Sequence, residues 1–303
     1  MMKGILIVMV VLGHTAIKFP LIDVFWFHMP AFFMITGYLS QRWVSFGNKM
    51  YLRRKTCQLL IPYLSYSVLL FLLIGYSPLW KYILKVLLGG TLNITPFSYP
   101  FWYINTLFVA LVAYGLIKHL GSAIQLLLIA SLYIIIHLMS CWDFHPPVPL
   151  GIDNAMGALV YIYIGDRFKV YKPKKWHYFL VGLPVLFAFV NKWWGVNYQI
   201  NMASMIYDNL LLDLMVPCMF AFVTYLLCLQ LKKWKFSSTV LSMLGRSSMT
   251  IYFTHAAIIF LLRPYIEQSF IVVCCIFIGV ILHFLFLRFR YTRMLFLGIK
   301  KNE

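Results

Sequence analysis

The chain has 303 residues, of which 62% are hydrophobic and 11% charged, against about 45–50% apolar and about 25% charged in soluble domains. Those proportions exclude a soluble globular fold and place the chain in lipid. A net charge of +18 would suit a nucleic-acid binder, so its placement relative to the apolar runs decides what it means.

Apolar runs near the roughly 20 residues that cross about 30 Å of hydrocarbon recur along the whole chain. They predict an all-α bundle of about ten transmembrane helices, over residues 4–17, 21–40, 59–76, 100–117, 121–140, 150–166, 177–192, 205–231, 248–262 and 270–287. The first run is short and follows Lys3, as in a signal peptide. No small-residue cleavage site follows it, so a retained first helix is expected. No internal repeat or linker divides the chain, which predicts a single transmembrane domain over residues 1–303.

With the N-terminus inside, 21 of the 26 Lys and Arg residues fall on the cytoplasmic side, and only Lys18, Lys81, Lys85, Lys192 and Arg263 fall outside. That bias predicts both termini in the cytoplasm and argues against nucleic acid as a partner. Membrane lipid is the expected neighbour of the short basic inner connections, such as residues 232–235. The outer connections at 77–100, 141–149 and 193–201 are aromatic-rich, as an interfacial belt requires, and a carbohydrate-stacking surface is the sharper reading. The six cysteines show no CxxC spacing, so neither a disulfide framework nor a metal site is expected.

Ionisable groups inside spans are costly and mark candidate function. His14 lies about 16 Å along its run from Lys3, near the expected midplane. His28 falls about seven residues into a span entered from outside, roughly 10 Å below the surface. A neutral imidazole can take a proton from an attacking hydroxyl and return it to a leaving thiolate. The plainer alternative, a histidine bonded to a nearby carbonyl for packing, stays equally open. His255 and His283 invite the same pair of readings, whereas His119, His145 and His177 fall at loops or boundaries. Asp208 and Asp213 share the eighth run with Pro217, whose kink would free backbone carbonyls; contact with a sugar hydroxyl and satisfaction by neighbours are both open. Arg53, Arg54 and Lys55 precede the third span and suit coenzyme phosphates, or lipid headgroups.

Four segments, KGILIVMVVLGH (3–14), FHMPAFFMITGY (27–38), RRKTCQLLIPY (53–63) and LSMLGRSSMTIYFTH (241–255), resemble in order the membrane-bound acyltransferase-3 family, especially its fucose 4-O-acetylase-like branch. FWYINTLF (101–108) and YIYIG (161–165) extend the likeness over most of the chain. The resemblance implies an O-acyltransferase of the bacterial cytoplasmic membrane. Its donor would be cytoplasmic acyl-CoA, usually acetyl-CoA, and its acceptor a cell-surface or lipid-linked saccharide. It makes His14 the base; beside it, and apart from the resemblance, His28 is expected to orient the acceptor or donate to the developing oxyanion. Lys3 stands where relatives carry the arginine of an Arg-x10-His pattern. The Arg-x-x-Arg region reads Lys55 and Gln58, with Arg53 and Arg54 as substitutes. Asp213 and His255 complete the expected substrate contacts. Relatives usually carry a few more residues ahead of the Lys-Gly pair. A transporter or flippase for a lipid-linked saccharide or small solute is the rival class, and its signature of in-plane repeat symmetry is not seen in the sequence.

Overall fold

The computed structural model of the protein describes residues 1–40, 48–92, 95–146, 148–171 and 173–299. Of the basic residues expected on the inner side, Arg42, Lys172, Lys300 and Lys301 lie outside the described residues, as do the side chains of Lys49 and Lys175. Chain order runs α1 Met2–Gly13, α2 His28–Tyr38, α3 Asn48–Lys55, α4 Ile61–Ile74, α5 Leu79–Leu88, α6 Trp102–Ile117 and α7 Ser122–Cys141. It continues with α8 Ile152–Arg167, α9 Gly182–Trp193, α10 Leu212–Leu231, α11 Lys235–Leu262, α12 Gln268–Arg288 and α13 Arg290–Leu297. The described strands, β1 Ile200–Asn201 and β2 Ile206–Tyr207, form one small antiparallel hairpin. Among the described residues, five helical stretches are long and apolar enough to cross a membrane: Met50–Ile74, Tyr99–Ile117, Ser122–Cys141, Leu212–Leu231 and Gln268–Arg288.

The expected spans differ from these helices in three informative places. Residues 4–17 were expected as one span, but α1 stops at Gly13 because the Thr15 amide and hydroxyl both turn back onto the Leu12 carbonyl. Residues 21–40 were expected as another, but Asp23 accepts the Phe25 amide and caps a 3₁₀ turn, Val24–Trp26, so α2 begins only at His28. Pro30 fits there because the first turn of a helix has no use for its missing N–H. Residues 205–231 shorten to α10, whose start is set by Asn209: its side-chain oxygen accepts both the Leu211 and Leu212 amides. Beyond the expected spans, α3, α5 and α13 are additional short helices.

The chain divides into two compact units. The first holds residues 1–41, 122–145 and 156–246, and the second holds 42–121, 146–155 and 247–303. In the first unit, α2 and α8 pack backbone to backbone. A Cβ on Gly37 would strike the Ile162 carbonyl, and one on Gly165 would strike the Met34 carbonyl. Small residues permit such approach where apolar burial gives no drive for helices to associate in lipid. In the second unit the core is aromatic: Tyr66 and Phe253 stack with ring centroids 4.4 Å apart, and Phe101 meets Phe253 edge-on at 4.9 Å.

Candidate active site

The break between α1 and α2 brings the two expected histidines of the first unit onto one ring. His14 is the C-cap of α1 and half-buried. Its imidazole meets Phe25 edge-on at 5.8 Å, and the other side of the pair is His28, 5.2 Å from Phe25 at a similar angle. Gly13 makes this possible, since a Cβ there would lie 2.8 Å from a Val24 methyl. The turn carrying Phe25 is fixed from behind: Trp26 Nε1 donates to the Tyr198 carbonyl at 3.1 Å, and Phe27 stacks on Phe220 of α10 at 5.0 Å.

His28 is not seven residues inside a span but the first residue of α2, and it is fully buried. Its Nδ1 lies 2.5 Å from the Val24 carbonyl. A carbonyl only accepts, so Nδ1 carries the proton, and in the neutral ring Nε2 is a lone-pair acceptor. Such a ring can orient a hydroxyl by accepting from it; donation to an oxyanion would require a second proton.

Asp213 and Pro217 stand in a different setting. Asp213 is in the first turn of α10 and wholly buried, while Asp208 lies before the helix and is exposed. His137 of α7, which the sequence reading passed over, places Nε2 3.0 Å from Asp213 Oδ2 and donates Nδ1–H to the Tyr133 carbonyl at 2.8 Å. The same Oδ2 accepts the Asn209 amide at 3.2 Å, and the Tyr198 hydroxyl lies beside the carboxyl. Burial pushes the Tyr198 phenol well above its ordinary range, so it stays protonated. Pro217 has no N–H to return to the Asp213 carbonyl four residues back, and the Tyr161 hydroxyl takes that carbonyl at 2.5 Å.

In the second unit, Lys55 is buried rather than exposed. Its ammonium donates to Gln58 Oε1 at 3.1 Å and sits 5.8 Å over the Tyr51 ring. Arg53 is exposed and Arg54 half-buried on the same short helix, which runs into a π-helical turn, Thr56–Leu60. Turns of that kind recur at functional sites. His255 is fully buried in α11 and donates Nδ1–H to the Tyr252 carbonyl at 2.7 Å. His283 reaches Thr250 at 3.3 Å. Lys3 lies in the first turn of α1, in the first unit, with its Cβ 3.7 Å from where a Cβ on Gly245 would stand.

The profile of the acyltransferase domain family matches residues 1–288. No curated protein and no solved structure matches the chain. With a match that covers nearly the whole sequence and helices apolar enough to span a bilayer, the chain belongs to the acyltransferase-3 family and is a membrane acyltransferase.

Proposed function

We propose that the protein transfers an acyl group, acetyl being the first choice, from cytoplasmic acyl-CoA to a hydroxyl of a cell-surface or lipid-linked saccharide. The setting is a bacterial cytoplasmic membrane, the termini are cytoplasmic, and the relatives to look to are the fucose 4-O-acetylase-like branch. One observation carries the reading: His14 and His28 share the Phe25 ring where two short helices break. With 12 residues, α1 rises about 18 Å, against about 30 Å of hydrocarbon. A helix ending at that depth leaves irregular backbone inside the bilayer, and lipid tolerates this only where the backbone is buried in protein or lines a cavity.

In this reading His14 takes the proton of the acceptor hydroxyl as the oxygen attacks the thioester carbonyl. The tetrahedral intermediate then collapses, the C–S bond breaks, and the proton passes to the leaving thiolate. His28, with Nδ1–H held by Val24, orients the hydroxyl through Nε2. Arg53, Arg54 and Lys55 hold donor phosphates, with Lys55 presented through Gln58. Lys3 and His255 border substrate. Asp213 is wholly buried and holds His137 and the Asn209 amide through Oδ2, so we assign it to the framework. The test is transfer of labelled acetyl from acetyl-CoA to endogenous glycans in membranes carrying wild type or His14→Ala. Equal transfer by the two would remove His14 from the role of base.

A further inference from the structure

Helix α5 turns back into the second unit from the connection expected outside. Its Tyr82 stacks on Phe71 of α4 at 5.2 Å and donates its hydroxyl to the Ser67 carbonyl at 2.7 Å. Further along α5, the Val86 carbonyl accepts the hydroxyl of Tyr63, which precedes Ser67 on α4, at 2.7 Å. The two helices therefore run antiparallel, and α5 descends beside the span Met50–Ile74. Its 10 residues rise about 15 Å, about half the depth of a hydrocarbon core, so it ends within the bilayer. Lys85 fits that course: its ammonium lies 5.4 Å over the ring of Tyr76, ahead of the helix start, as a lysine does when it carries its charge out of hydrocarbon.

The end of α5 meets a second irregular turn. Gly89 and Gly90 have φ of 61° and 56°, and Leu150 and Gly151 have 59° and 65°. The two turns touch, since a Cβ on Gly90 would strike the Gly151 nitrogen. Leucine avoids that left-handed region, so Leu150 is held there by its surroundings. Lipid tolerates irregular backbone at such depth only where it is buried in protein or lines a cavity. Three neutral polar side chains gather at the turns. A Cβ on Gly89 would lie 2.9 Å from Asn105 Nδ2, and one on Gly151 would strike Thr106 Oγ1. Asn154 follows Gly151 with Ile152 and Asp153 helical between them, a spacing of roughly 5–6 Å. All three are buried, and Asn105 Oδ1, Thr106 Oγ1 and both polar atoms of the Asn154 amide meet no partner among the described residues. Such atoms cost the fold free energy that apolar side chains of the same shape would not. An amide and a hydroxyl both donate and accept, so the group matches a ligand that does both, as saccharide hydroxyls do. A phosphate, which only accepts, would leave the two amide oxygens unmet.

We propose that these two turns cover a saccharide-binding site in the second unit, where Asn105, Thr106 and Asn154 take hydroxyls of the acceptor once the turns part. This rests on the acceptor reading above and adds to it the residues that hold the sugar. The test uses the full chain in neutral detergent, with acetyl-CoA as donor and a dilution series of glycan extracted from the producing membranes as acceptor. Asn154→Leu and Thr106→Val are expected to raise the half-saturating extract concentration about tenfold or more, with coenzyme A binding unchanged. Their unfolding temperatures should equal or exceed that of wild type, because an unpartnered polar group has been removed. Thr106→Ser keeps the hydroxyl and should use the extract as wild type does. The extract should raise the unfolding temperature of wild type and not that of Asn154→Leu. Variants that unfold at lower temperature yet use the extract normally would show a framework role, or a structural water, and overturn the proposal. If wild type transfers acetyl and both apolar variants match it, the inference fails and the acyl-transfer reading survives. If wild type transfers nothing, yet the extract stabilises it in an Asn154-dependent way, the site stands and that reading falls. Variants that lose coenzyme A binding instead would give the site to the donor and end the saccharide assignment. An extract that neither accepts acetyl nor stabilises wild type ends both.

Discussion

Two histidines of the first unit show what separates a framework imidazole from a candidate base. His137 sits inside α7 with both ring nitrogens committed, one to the Tyr133 carbonyl and the other to Asp213. Because Nδ1 already holds a proton, the contact through Nε2 needs another on the ring or on the carboxyl, so the pair is locked as a unit. His14 sits where the backbone leaves the helix, half-buried, against an aromatic ring that it shares with a second imidazole. Burial and polarity alone rank His137 as the more unusual residue. What distinguishes His14 is its place at an interruption of the helix, beside a ring that it shares with a second imidazole.

Substitutions can break that contrast. His14→Ala is expected to lower acyl transfer by about 10²–10⁴-fold, the usual range for removing a general base, with the unfolding temperature in detergent unchanged. A large loss of thermal stability instead would place His14 with His137 in the framework. His137→Ala leaves the Asp213 carboxyl buried without its partner, which costs about 3 kcal/mol when a buried pair is broken. Unfolding in detergent should show that loss, while turnover per folded molecule stays within about twofold of wild type. His28→Ala removes one oriented acceptor and should raise the acceptor KM about tenfold with the donor KM unchanged, as expected for one hydrogen bond of roughly 1.4 kcal/mol. A matching rise in donor KM would instead show that the Phe25 turn had moved.

Hydropathy made the long helices legible, since α6, α7, α10 and α12 are each apolar runs whose length fits a bilayer. It failed at α1 and α2 because the chain between them is nearly as apolar as the helices, and the residues that stop the helix act by hydrogen bonding. Thr15 and Asp23 were the available signals: a hydroxyl that folds back on Leu12, and a carboxylate poised two residues ahead of the amide it caps. The glycines of the family-like segments 27–38 and 161–165 were also readable as residues, but their meaning as mutual contacts of α2 and α8 lies between segments far apart in sequence. His137 escaped notice for the same reason, because its partner is 76 residues away and nothing local marks it. The basic cluster was visible at once; the helix from Arg290, whose terminal Gly298 lies against Cys57 and Gln58, was not, being too short to register as a span.

The smallest effect tests how far the framework of α10 depends on its proline. Pro217 deprives the Asp213 carbonyl of its helical donor, and Tyr161 supplies a hydroxyl in its place. Tyr161→Phe should therefore cost about 1 kcal/mol in unfolding experiments, since a buried carbonyl loses its hydrogen-bond donor. Pro217→Ala restores an N–H at the position a regular helix would use, so in that background Tyr161→Phe should cost clearly less. The two changes are expected to couple by several tenths of a kcal/mol in a double-mutant cycle. Additive costs would mean that the hydroxyl does not replace the missing amide, and the break at Pro217 would then have to be held by the pair of His137 and Asp213 alone.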